Sequence, residues 1–199
     1  MITLPHSEAC ERNKWPILKV IKDIFTRGTI IEVGSGTGQH AEFFAEELAV
    51  KWQASDQADY LESLKARKIQ NNCSFLEPFS LKIGDGTFSK IADESYDGMF
   101  SANTLHIMDE EDANRFAQEV SPVLRPEADL VVYGPFIFDP DELAQSNQSF
   151  DLLLKSRNPN MGIRSFDKLD RLFKENHLAL VKVYEMPSNN HLLHYRKFV

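Results

Sequence analysis

"TIIEVGSGTGQHAEFFAE", residues 29–46, decides the fold. Thr29–Val33 is a short β-branched run with the character of a strand, and Gly34, Gly36 and Gly38 follow it at alternate positions. Residues 39–49 then place Phe43, Phe44 and Leu48 at helical spacing, facing inward. Glycine frees the backbone for turns closed to other residues and lets a ligand approach the main chain. Strand, tight turn and helix make the first half of a βαβ unit.

The alternation continues outward from this stretch. "VKWQASD" (50–56), "FSLKI" (79–83), "YDGMFSA" (96–102) and "DLVVYGPF" (129–136) read as further strands. Helical patterns at 57–70 and 111–124 separate them, and apolar residues from Cys10 to Thr26 predict a helix ahead of the first strand. Five strands spaced by helices predict a parallel, doubly wound α/β sheet with helices on both faces. Helices at 141–156 and 165–176 come next, and "PSNN" (187–190) separates two last strands, 178–186 and 191–199. That turn signal predicts a C-terminal antiparallel hairpin at one edge, making seven strands in all.

With 199 residues, 42% of them hydrophobic, the chain suits one core and one domain over 1–199. Residues 1–27 are expected to form an N-terminal lid and helix, and 139–176 an insertion before the hairpin. The net charge of -8, with "KARK" (65–68) as the densest basic run, works against a nucleic-acid partner. Cys10 and Cys73 stand far apart without a CxxC pattern, so neither a metal site nor a disulfide framework is expected. Neither a signal peptide nor an apolar run long enough to span a membrane is read, and a reducing cytoplasm is the expected compartment. Oligomeric state is not specified by the residues.

The dinucleotide fingerprint G-x-G-x-x-G requires glycine at position 39, where this chain has Gln39. Glu32-Val33-Gly34-Ser35-Gly36-Thr37-Gly38 instead resembles the first motif of class I methyltransferases, E-x-G-x-G-x-G. The resemblance implies S-adenosylmethionine as cofactor. That molecule carries a sulfonium and an ammonium group rather than a phosphate, which suits an acid at Glu32 and an acidic protein. Asp56, 18 residues beyond Gly38 at the end of the second strand, is placed to accept hydrogen bonds from both ribose hydroxyls.

"SEACERNKWPIL" (7–18), "FSANTLHIM" (100–108), "VVYGPF" (131–136), "SNQSFDLLLKSRNP" (146–159), "GIRSFDKL" (162–169) and "PSNNHLLHYRK" (187–197) extend the likeness. Together with the glycine turn they resemble a small group of class I methyltransferases of unassigned substrate that includes methyltransferase-like protein 26. This implies the seven-stranded Rossmann-like fold, S-adenosylmethionine dependence and an enzyme. At "LKIGDG" the chain departs from that pattern, with Lys82 in place of an Asp and Asp85 three residues later. The adenine-side contact is therefore unassigned.

Methyl transfer depends mainly on positioning, with a general base needed only when the acceptor still carries a proton. Cofactor-binding candidates are Glu32, Gly34, Ser35, Gly36, Gly38, Asp56 and Asn103, the last at the end of strand four. His106 and Tyr133 are the catalytic candidates, although His106 could simply bond backbone as the next helix begins and Tyr133 could pack in the core. Arg12, Asn13, Phe136, Asn147 and Arg164 are candidates for lid or substrate contacts. Arg164 either clamps an acidic group or pairs with Asp151, and Asn189 and Asn190 read as turn residues. The expected activity is methyl transfer to a small molecule. The alternatives are a non-catalytic module binding S-adenosylmethionine or S-adenosylhomocysteine, and a nicotinamide oxidoreductase, which Gln39 and the hairpin disfavour.

Overall fold

In a computed structural model describing residues 3–198, one sheet organises the molecule. Its strands are β1 (Thr29–Val33), β2 (Lys51–Asp56), β3 (Leu76–Ser80), β4 (Tyr96–Ala102), β5 (Leu124–Gly134), β8 (Leu178–Met186) and β9 (Asn190–Lys197). Their spatial order is β3-β2-β1-β4-β5-β9-β8. The first five run parallel, while β9 is antiparallel to both β5 and β8. β6 (Phe136–Ile137) and β7 (Arg164–Ser165) form a separate parallel pair that the sequence pattern does not reveal.

Alternation along each strand builds two cores. Ile30, Phe100, Val131 and Leu192 face one side, where they meet α1 (Glu8–Ile21) and α2 (Gln39–Glu47). Ile31, Met99, Val132 and Leu193 face the other, covered by α4 (Glu110–Val123) and α6 (Phe166–Glu175). α3 (Ala58–Gln70) packs along β2 and β3, and α5 (Gln145–Arg157) follows the small β6 strand. Phe44, Trp52 and Phe100 interlock in the first core with ring centroids 5.4–5.6 Å apart, directly beneath the glycine turn.

Several boundaries differ from expectation. The third strand occupies Leu76–Ser80 rather than 79–83. It pairs only with β2, and an edge position tolerates Pro78, the residue that disguises this strand in sequence. β5 begins at Leu124, where a shift in register against β4 lets Pro126 enter the strand. α1 runs over Glu8–Ile21 instead of 10–26, started by the Ser7 side chain accepting from the Cys10 amide, and leaves Trp15 exposed. α5 starts at Gln145, four residues later than expected. The hairpin turns at Ser188 and Asn189, both with positive φ. Met1 and Ile2 of the expected lid and Val199 of the last strand lie outside the described residues.

Candidate functional site

The carboxyl ends of parallel strands in an open α/β sheet form a crevice where ligands bind, and the glycine turn lies there. Gly34, Gly36 and Gly38 have φ of 81°, 53° and 77°. A Cβ on Gly34 would meet Thr104 Oγ1 at 2.6 Å, so only glycine admits the loop after β4; one on Gly36 would enter open space. The amides of Gly34 and Ser35 donate to the Ser55 carbonyl, that of Gly36 to Asp56 Oδ2 at 2.5 Å, and that of Gly38 to the Ser35 carbonyl. These four N–H groups are spent inside the protein. A pyrophosphate, which can only accept, finds them already committed.

Asp56 closes the turn from β2. Besides Gly36, its carboxylate accepts the Gln57 amide at 2.6 Å, and it is largely buried, which raises its pKa against the lowering effect of those two bonds. A carboxylate has about four lone-pair directions, so roughly two remain for hydroxyl donors.

Glu32 lies beneath the turn instead of facing the cavity. Its Oε2 accepts from Ser35 Oγ at 2.9 Å and from Trp52 Nε1 at 3.0 Å, and burial pushes its pKa to about 7. Its bonds tie the turn to the aromatic core. Ser35, likewise buried, completes the tie by accepting the Ser55 amide.

At the end of β4, Asn103 adopts φ 57° and donates its amide to the Tyr133 carbonyl. Such strain in a non-glycine residue collects at ligand sites. A Cβ on Gly134 would sit 3.7 Å from His106 Nδ1 and 4.0 Å from Asn103 Oδ1, so these two side chains converge over the end of β5. His106 is buried with its ring edge against Phe150, and desolvation, then the charge of Arg164, lowers its pKa to about 4. It is a neutral imidazole at neutral pH and a weak base.

Tyr133 is buried, and its hydroxyl reaches Asn13 of α1 and Asn190 of the hairpin, with desolvation raising its pKa. The phenol thus joins α1 to the hairpin. Asn13 also binds His40 at 2.7 Å and is buried, whereas its neighbour Arg12 is exposed on the outer side of α1. Arg164 neither clamps an acid nor pairs with Asp151. It donates to the carbonyls of Leu105, Met108 and Asn160, while Asp151 accepts from Ile163 and Lys155.

Two residues without a role in the sequence reading fasten the N-terminal segment over this region. Gln39 accepts the Ser7 amide at 2.6 Å and donates to Glu11 at 2.6 Å. Arg67 reaches the carbonyls of Pro5 and Thr37 and pairs with Glu42. The contacts bridge 25 to 62 residues of sequence, so no local pattern announces them.

Two cavities open along this edge. The smaller, about 160 Å³, lies between Gly34, Asp56, Lys82, Thr104 and Met108. The larger, about 590 Å³, lies between β6, the start of α5 and the hairpin, and counts Phe136 and Asn147 in its wall. Asn147 also donates to the Asn189 carbonyl, fixing the hairpin tip to α5.

The family model "Protein of unknown function (DUF938)" matches residues 4–197. The chain belongs to the DUF938 family. Solved structures similar to this DUF938 chain include an O-methyltransferase family protein from Burkholderia thailandensis, at 16% identity and TM-score 0.80 over 96% of this chain and 58% of that one. The S-adenosylmethionine-dependent methyltransferase SibL matches at 15% identity and TM-score 0.77, over 96% and 56%. A proposed sarcosine dimethylglycine methyltransferase from Galdieria sulphuraria matches at 14% and 0.70, over 96% and 86%. The chain thus spans a little over half the length of the first two, and the likeness shows a shared methyltransferase fold.

Within this DUF938 chain Gly34 and Asp56 border the smaller cavity, and Phe136 and Asn147 border the larger; Gly36, Gly38, Asn103, Arg12 and Arg164 border neither. The residues fit S-adenosylmethionine in kind, with a carboxylate holding free lone pairs and a turn whose amides are closed to phosphate. At 160 Å³ the smaller cavity falls below the roughly 300 Å³ where small-molecule sites begin.

Proposed function

We propose that this protein is an S-adenosylmethionine-dependent methyltransferase acting on a small molecule, a single catalytic domain of the cytoplasm. One observation carries the reading: a glycine turn with its amides committed and an acid at the end of β2 meet in the crevice of a β3-β2-β1-β4-β5-β9-β8 sheet. The resemblance to the methyltransferase-like protein 26 group supports it from the sequence side.

The cofactor supplies an activated methyl group on a cationic sulfur. Asp56 would hold the ribose through its remaining lone pairs, Gly34 and Gly36 would let the ligand lie against the main chain, and Asn103 would orient the end of β4 toward it. Since His106 is a weak base and Tyr133 is bound at both sides, this chain's contribution is positioning more than proton removal. An acceptor that loses its proton easily, or lacks one, suits such a site best.

The test is incubation with methyl-labelled S-adenosylmethionine and a fractionated pool of small metabolites. Label appearing in a small molecule, with one S-adenosylhomocysteine formed per methyl, supports an enzyme. Tight binding with no transfer to any fraction supports the binding module instead.

A further inference from the structure

The wall of the larger cavity shows an imbalance of charge. Asp139, Glu142 and Glu185 border it, and neither Lys nor Arg does. Some acids elsewhere stand in ion pairs, among them Asp97 with Arg125, Glu42 with Arg67, Asp129 with His194 and Arg196, and Asp151 with Lys155. Among the described residues, none of the three cavity carboxylates has an ion-pair partner. Lys182 belongs to the other face of its strand, over the Tyr184 ring, while Val183 and Glu185 turn to the cavity.

The remainder of the wall combines apolar and aromatic side chains with Asn147, Asn189, Asn190 and His191. Phe136 is buried, Val183 and Met186 add aliphatic surface, and Phe138 stacks on Phe166 at 4.5 Å with its ring also against His191 at 4.5 Å. Phe138 remains 39% exposed, so part of its ring is open to a ligand. His191 Nδ1 is buried without a hydrogen-bond partner. Among the described residues no three His, Cys, Asp or Glu side chains group closely enough for a metal ion.

We infer that this cavity binds an organic amine on an aromatic or aliphatic body as the methyl acceptor: its nitrogen arrives protonated, gives that proton to Glu142 or Glu185, and the freed lone pair takes the methyl group as S-adenosylhomocysteine leaves. The ammonium group is drawn to Glu142 and Glu185 and to the face of Phe138, and the body fills the space against Phe136 and Met186. An anionic ligand would meet three carboxylates with no compensating cation, and a neutral one would leave them unused. The role as acceptor rests on the methyltransferase reading; the preference for an amine rests on the cavity alone.

The full chain, with and without saturating S-adenosylhomocysteine, is titrated calorimetrically with 2-phenylethylamine, 2-phenylethanol and 3-phenylpropionate. The amine is expected to bind about tenfold tighter than the alcohol, and the acid not to bind. Replacing both carboxylates, Glu142→Gln with Glu185→Gln, brings amine and alcohol within about twofold, the thermal midpoint showing that the variant is folded. Equal affinities in the wild type, tighter binding of the acid, no binding of the amine at about 10 mM, or a preference that survives the double replacement each overturns the inference. An amine preference without any S-adenosylhomocysteine binding sinks the methyltransferase reading and leaves the cavity assignment standing; cofactor binding without an amine preference does the reverse.

Discussion

Asp56 spends two acceptor directions on its own turn and keeps about two for a ligand. Asp56→Ala removes both functions, and S-adenosylhomocysteine affinity measured by calorimetry is expected to fall at least about tenfold, since a hydrogen bond to a charged group contributes roughly 1.5–3 kcal/mol. Unchanged affinity would place the ribose elsewhere. Glu32 and the buried histidines make a second expectation. Glu32, raised to about 7 when folded, binds a proton the unfolded chain releases above about 4.5, so its contribution to stability declines as pH rises through that interval. His40 and His106, lowered to about 4, stay neutral when folded while the unfolded chain takes up protons below about 6.5, so their contribution declines as pH falls. Glu32→Gln keeps one oxygen to accept from Ser35 and Trp52 and removes the counterweight. The variant should gain thermal midpoint at pH 8 relative to wild type and lose it more steeply between pH 6.5 and 4. The glycines and Asp56 were legible in sequence because backbone sterics and strand ends restrict what they can be. Arg164 was not, because its planar fork serves carbonyls as well as carboxylates.

Among elements, the N-terminal segment and α2 are coupled through Gln39 and Arg67. Gln39→Ala removes the acceptor for the Ser7 amide and the donor to Glu11, and should cost about 1–2 kcal/mol in denaturant unfolding. Amide hydrogen exchange over residues 7–12 should quicken while β1 and β4 keep their protection. Uniform quickening across the sheet would mean that Gln39 supports the core and not the segment. Strand and helix identities were readable wherever periodicity extended over a whole element, as in β4 and β8. β3 was displaced because Pro78 breaks the pattern at an edge, and β6 with β7 escaped because two residues carry no period.

For the whole molecule, sheet order and the antiparallel β9 follow from an alternation visible in sequence, and the DUF938 match extends over residues 4–197. The larger cavity was invisible at that stage because the hairpin tip that helps enclose it meets α5 across 42 residues of sequence, from Asn147 to Asn189. No described helix is long and apolar enough to cross a membrane. The central claim is that the crevice over the glycine turn takes S-adenosylmethionine. Parallel calorimetric titration of the purified chain with S-adenosylmethionine, S-adenosylhomocysteine and NAD tests it most directly. Binding of the first two with none of the third is the predicted result; binding of NAD, or of none of the three, would contradict it.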